Sequence, residues 1–256
     1  MLKILFIGDI VGEPGRNCVS DFLTKNRQNY DIVIANGENS AGGKGISKNV
    51  FNEILNFGID VVTLGNHTFA RKEVLEIIED PRLVRPLNYP EGNVGHGYCI
   101  KTLPNGTKVA VINLLGRVFT VECLDCPFRT IENFLPKIYE ETKIVIVDFH
   151  AEATSEKVAM KYFLDGKVTA VLGTHTHIAT NDVEITSNGT GYVTDVGMCG
   201  PKNSVIGLVP EIVIKRFLLC TPQKFVVATG PTKFNAIELF VDETTAKCVK
   251  INQVLV

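Results

Sequence analysis

Residues 1–15 read MLKILFIGDIVGEPG. From residue 3 to residue 7 the side chains are almost continuously apolar, and the run then breaks at Gly8-Asp9. A strand covered on both faces has this pattern, whereas a half-exposed strand alternates. The run is too short for an export signal with a cleavage site, and far below the ~20 residues of a membrane span. Glycine at the strand end permits a tight turn, and the aspartate after it sits where a sheet edge opens.

The same grammar recurs outward from this stretch. Residues 31–35, 60–64, 108–114, 143–147 and 169–172 read as further strands, most of them continuously apolar. Amphipathic stretches at 14–28, 47–57, 71–78, 127–139 and 155–164 read as the helices between them. Pro14 suits a helix start, Ser47 and Ser155 are candidate N-caps, and Gly58 stands where a helix-terminating glycine belongs. Beyond His177 the chain becomes strand-rich, with runs at 183–185, 192–194 and 247–254 and a short helix near 210–217. The runs at 225–229 and 235–241, separated by Gly230-Pro231, predict a hairpin. With no linker, repeat or low-complexity tract, residues 1–256 read as one domain. The expected fold class is α/β: a four-layer αββα sandwich, two packed mixed sheets flanked by helices.

Apolar residues make up 45% of the 256, enough for a sizeable core, and the net charge of −2 includes no long run of one sign. That excludes a polybasic membrane patch and gives no sign of an extended nucleic-acid surface. Seven cysteines, an odd number without an export signal, point to free thiols and a soluble, cytoplasmic protein. Cys123 and Cys126 form a C-x-x-C, but no second Cys or His pair lies nearby to complete a zinc site. The pair reads as a loop feature.

The polar residues gather at strand ends, which in open α/β sheets is where ligands bind. Asp9 follows the first strand, Glu38-Asn39 the second, and Asn66-His67 the third; His150 and then His175-Thr176-His177 follow later ones. Taken singly, each has a bland reading as a turn or cap residue. Four of the five histidines fall at this edge, with two carboxylates and two amides, and that conjunction points to a metal site. His96, between Gly95 and Gly97, reads as a loop residue.

In order, Gly8-Asp9, Gly37-Glu38-Asn39, Gly65-Asn66-His67, His150 and Gly173-Thr174-His175-Thr176-His177 resemble the metal motifs of the calcineurin-like metallophosphoesterases. The chain is similar to the YmdB-type bacterial phosphodiesterases within them. That closer resemblance is carried by residues 6–12 (FIGDIVG), 36–39 (NGEN), 148–157 (DFHAEATSEK) and 194–198 (TDVGM), and spans essentially the whole chain. The superfamily usually opens with D-x-H, whereas here the place of that histidine is taken by Ile10 or Val11. The resemblance therefore implies that Asn39 replaces the missing imidazole and that Glu38 bridges two metals. One metal would take Asp9, Glu38, Asn39 and His177, and the other Glu38, Asn66, His150 and His175. His67 would remain free as the catalytic acid beside the scissile bond.

The donor chemistry is consistent with this. Oxygen and nitrogen donors suit iron, manganese or zinc, iron or manganese foremost. Two divalent ions against two carboxylates leave a net charge of roughly +2, which attracts a phosphodiester and acidifies a bound water. The expected reaction is in-line attack by metal-bound hydroxide on a small phosphodiester, with a cyclic nucleotide (2′,3′ or 3′,5′) implied by the resemblance. His67 would protonate the leaving oxygen or stabilise its charge. Asp148 and Asp195 are candidates to orient ligating imidazoles, and the glycine-rich 41–45 stretch to line the entrance. A phosphomonoesterase or nucleotidase using the same cage, or a metal-containing regulatory binding protein, remains an alternative. A homo-oligomer is compatible with all three.

Overall fold

The computed structural model describes residues 1–256 and contains two six-stranded sheets, a three-stranded ribbon and five α-helices. The helices are α1 (Gly12–Asn26), α2 (Lys48–Asn56), α3 (Pro127–Tyr139), α4 (Thr154–Leu164) and α5 (Pro210–Leu219). In the first sheet the spatial order is Cys248–Leu255, Asn235–Val241, Leu2–Ile7, Ile32–Asn36, Val61–Thr63 and Leu83–Val84. The last four run parallel, while Asn235–Val241 is antiparallel to both its neighbours. In the second the order is Glu184–Ile185, Gly191–Val193, Ala170–Thr174, Val145–His150, Lys108–Leu115 and Tyr98–Thr102, antiparallel only at its two edges.

Three apolar cores follow from this layering. Leu2, Ile4, Phe6 and Ile34 meet Val111, Ile146 and Leu172 between the sheets. Leu5, Val33 and Val62 pack outward with Val19, Leu23 and Phe51 of α1 and α2. Val145, Val147 and Phe149 do the same with Ile131, Leu135 and Met160 of α3 and α4. Both faces of each central strand are therefore dry, which is why their sequences do not alternate. The arrangement is the expected αββα sandwich. No helix is long and apolar enough to cross a membrane.

Several local expectations differ from the structure. The 71–78 helix is a 3₁₀ turn at Lys72–Glu76. Ser47 caps α2 through Val50 N, and Gly58, at φ +95°, follows that helix, but α4 is entered from Ala153 and Ser155 caps nothing. Residues 225–229 form no strand, only an isolated bridge from Val227 to Leu208. A hairpin there is precluded because both edges of Asn235–Val241 are taken, by Leu2–Ile7 and by Cys248–Leu255. The strands Tyr98–Thr102 and Met198–Pro201, both short and glycine-flanked or glycine-containing, were not expected.

Candidate metal centre

The carboxyl ends of the inner strands of both sheets converge, and the two sheets are fastened together beneath the site by one buried carboxylate. Asp148 accepts from Asn36 Nδ2 at 3.0 Å and from Thr63 Oγ1 across the sheet interface, and from Thr174 Oγ1 at 2.6 Å. Burial pushes Asp148 up to about 6 against the pull of His150 and these donors. Gly65 shows how tightly the edges close: a Cβ there would fall on the His150 ring and the Glu38 carboxylate.

All seven expected donors come together above this floor. Asp9, Glu38, Asn39, His150 and His177 are buried, while Asn66 and His175 are half-buried. Their contacts divide into two groups that share Glu38. In one, Asn39 Nδ2 lies 3.4 Å from Asp9 Oδ1, 3.2 Å from Glu38 Oε1 and 3.1 Å from His177 Nε2. In the other, His150 Nε2 lies 2.9 Å from Glu38 Oε1, 3.2 Å from Asn66 Oδ1 and 3.0 Å from His175 Nδ1. Glu38, His150 and His175 each bring a donor atom within 4.8 Å of the others, a spacing that one cation can bridge. Asn39 turns its amide nitrogen inward, and an amide flip presents the oxygen instead.

The far side of each imidazole is engaged, which settles which nitrogen faces inward. His150 Nδ1 is 2.8 Å from Thr174 Oγ1, whose hydroxyl donates onward to Asp148, so the ring nitrogen is the donor. His177 Nδ1 donates to the Ile206 carbonyl at 2.8 Å, and His175 Nε2 meets Glu152 Oε2 at 3.0 Å. His150 Nε2, His177 Nε2 and His175 Nδ1 therefore point at the carboxylates. The donor set, oxygen and nitrogen throughout, fits hard or borderline cations.

The electrostatics agree. Burial alone would raise Asp9 and Glu38, but the His177 and His150 imidazoles beside them hold both below the usual carboxylate range. Burial opposes protonation of His150, yet Glu38, Asp9 and Asp148 together push it up to about 9. Burial and the neighbouring His150 charge push His175 down to about 4. These two buried carboxylates demand positive charge close by.

His175 and His177 have φ of +101° and +67°, a region that β-carbons disfavour. Asp195 holds the turn between them: its Oδ2 accepts from Thr176 N at 3.0 Å and Thr176 Oγ1 at 2.8 Å, and is itself neutralised by Lys157 Nζ at 2.8 Å. Asp195 thus supports the turn backbone rather than an imidazole, and Asp148 reaches His150 through Thr174. Thr174, Glu152 and Lys157 fall within the motifs quoted from the sequence, but sequence reasoning assigned them no role of their own. Thr174 owes its role to register, lying opposite His150, which no spacing along the chain reveals. His96 stays apart, 3.1 Å from the Glu79 carbonyl.

His67 stands at the rim, its backbone N–H on Glu38 Oε2 at 3.0 Å and its Nδ1 3.4 Å from Asn66 Nδ2. It lines a cavity of about 640 Å³ together with Glu38, Asn39, His175 and His177, and with Lys44 of the glycine-rich loop. Burial lowers the His67 pKa, outweighing the attraction of Glu38.

A mixed αββα sandwich with this donor cluster at the joined strand ends is the architecture of a metallophosphoesterase-like protein. The chain belongs to the YmdB-like family, whose profile matches residues 5–254. It is 43% identical over 258 residues to the 2′,3′-cyclic-nucleotide 2′-phosphodiesterase of Bacillus subtilis (strain 168), covering 100% of this chain and 97% of that one. A crystal structure of a hypothetical protein from Thermus thermophilus superposes with a TM-score of 0.94 at 42% identity, over 100% of this chain and 99% of the other. One described as a novel phosphatase, from Mycoplasma pneumoniae, superposes with a TM-score of 0.93 at 36% identity, over 100% and 93%.

Proposed function

We propose that residues 1–256 act as one metal-dependent phosphodiesterase domain that hydrolyses small phosphodiesters, cyclic nucleotides in particular. The observation that carries this reading is the convergence of three imidazole nitrogens, each anchored from behind, on the buried carboxylates of Asp9 and Glu38. Similarity to a cyclic-nucleotide phosphodiesterase along the whole chain supports the choice of substrate. Asp9, Glu38, Asn39 and His177 would hold one cation, and Glu38, Asn66, His150 and His175 a second, with iron or manganese suiting the donors. When bound, such a pair supplies Lewis-acid polarisation of the phosphoryl oxygens and a water acidified towards neutrality.

The chain's own contribution is positional and protonic. Thr174, Ile206 and Glu152 fix the three rings, so no rotation is needed to present their lone pairs. Asn66 Nδ2 faces His67 Nδ1, which leaves Nε2 as the nitrogen that carries a transferable proton. His67 donates from there to the leaving oxygen.

The test is demetallation. Protein stripped by chelator should lose hydrolysis of 2′,3′-cyclic AMP yet keep its far-UV circular dichroism, because three apolar cores hold the fold without metal. Adding manganese or iron should restore turnover. Full activity after verified demetallation would refute the reading. A phosphomonoesterase reading finds its support in the Mycoplasma pneumoniae neighbour described as a phosphatase. Adenosine 3′-monophosphate turned over faster than 2′,3′-cyclic AMP would favour it.

A further inference from the structure

The cavity beside the donor cluster is lined by two kinds of surface. Part is the cluster itself with the polar Lys44, Glu152 and Thr176; a separate, apolar part is formed by Val11, Ile206, Leu208 and Phe225. The apolar part begins one hydrogen bond from the cluster, since the Ile206 carbonyl is the acceptor for His177 Nδ1. It is also built to hold its shape. Val209 N donates to Val226 O and Ala228 N to Gly207 O, both at 2.9 Å, and Leu208 bridges to Val227. Gly43, at φ +89°, packs so closely that a Cβ would approach Val227 Cγ2 to 2.8 Å, which joins the glycine-rich loop to this wall. Arg71 fastens the same loop through the Ala41 and Lys44 carbonyls. Lys44 is the one lysine or arginine in the lining and makes no ion pair.

Phe225 is the distinctive member. It is 43% exposed, a large aromatic left uncovered at a cavity, with the Arg216 guanidinium 5.3 Å from its ring centroid. A small polar diester such as glycerol 1,2-cyclic phosphate would leave such a surface uncovered next to the reacting centre. A flat heteroaromatic group would cover it, since any base can stack on an aromatic side chain.

We infer that this wall is a base-binding subsite, in which the base of a nucleoside phosphodiester stacks on Phe225 against Ile206 and Leu208 while Lys44 complements the phosphate charge. This rests on the phosphodiesterase reading above and adds the residues that select a nucleoside. None of the four apolar side chains can hydrogen-bond a base edge, so this wall by itself selects bases by area rather than by identity. Adenine and guanine should therefore be treated alike, with pyrimidines weaker.

The experiment compares metal-loaded wild type, Phe225→Ala and Phe225→Trp on 2′,3′-cyclic AMP, 2′,3′-cyclic GMP and the base-free glycerol 1,2-cyclic phosphate. Calorimetric binding of adenosine 3′-monophosphate against inorganic phosphate gives a readout independent of turnover. Wild type should favour cyclic AMP over the base-free diester in kcat/KM, and Phe225→Ala should lower that ratio by about 5- to 150-fold. The nucleotide-to-phosphate affinity ratio should fall in parallel, and Phe225→Trp should preserve both. Using ratios removes any difference in folded fraction between variants. A wild-type ratio near one, or a ratio unmoved in Phe225→Ala, would overturn the subsite while leaving a phosphodiesterase. No hydrolysis of any diester would overturn the underlying reading together with it.

Discussion

Glu38→Gln should remove both metal and activity. The side chain is the member shared by both groups of donors, with Oε1 on His150 Nε2 at 2.9 Å and 3.2 Å from Asn39 Nδ2. Glutamine keeps the shape but loses the charge that would bridge two cations in the proposed cage, and it brings an amide N–H where that cage needs a second electron pair. Groups that merely orient ligands cost about 10–100-fold in affinity or activity when lost, so a bridging ligand should cost more than that. The measurement is elemental analysis of the purified variant alongside its turnover of 2′,3′-cyclic AMP. Normal metal content with normal turnover would rule out the proposed cage. Folding should survive, because Glu38 lies at the edge of the three cores rather than within them.

His67→Ala should separate proton donation from metal binding. Among the proposed ligands the imidazole hydrogen-bonds Asn66, through a 3.4 Å approach, while its backbone N–H serves Glu38 and survives substitution. Both metals should remain, with turnover falling ~10²–10⁴-fold on diesters with poor leaving groups. A bis-nitrophenyl phosphate should suffer less, because its leaving oxygen needs little protonation. Loss of one metal with equal damage to both substrates would place His67 in the cage instead.

The parts of this molecule that were legible from its sequence share a physical cause. Strands dry on both faces must be apolar throughout, so Leu2–Ile7, Ile32–Asn36 and Lys108–Leu115 stood out within one or two residues of their ends. Helices with strong amphipathic faces, such as α3, were equally plain. Polar residues at the ends of such strands stand out against their surroundings, and all seven expected donors do converge at one edge. What failed was partner choice. Residues 225–229 carry strand-forming side chains, yet their neighbour 235–241 spends both edges elsewhere, and nothing local records that. The roles of Glu152, Thr174 and Lys157 were hidden for the same reason: each acts on a residue that is distant along the chain and brought close only by the fold. The apolar wall at Ile206, Leu208 and Phe225 lies in irregular chain, where periodicity carries no signal.

The central claim, that hydrolysis depends on two cations sharing Glu38, is tested most directly by titration. Demetallated protein is supplied with measured equivalents of manganese, and turnover of 2′,3′-cyclic AMP is followed at each step. Activity should be absent at zero equivalents and should reach its plateau at about two per chain, the number served by a shared bridging carboxylate. Full turnover before any metal is added, or a plateau at one equivalent, would contradict it.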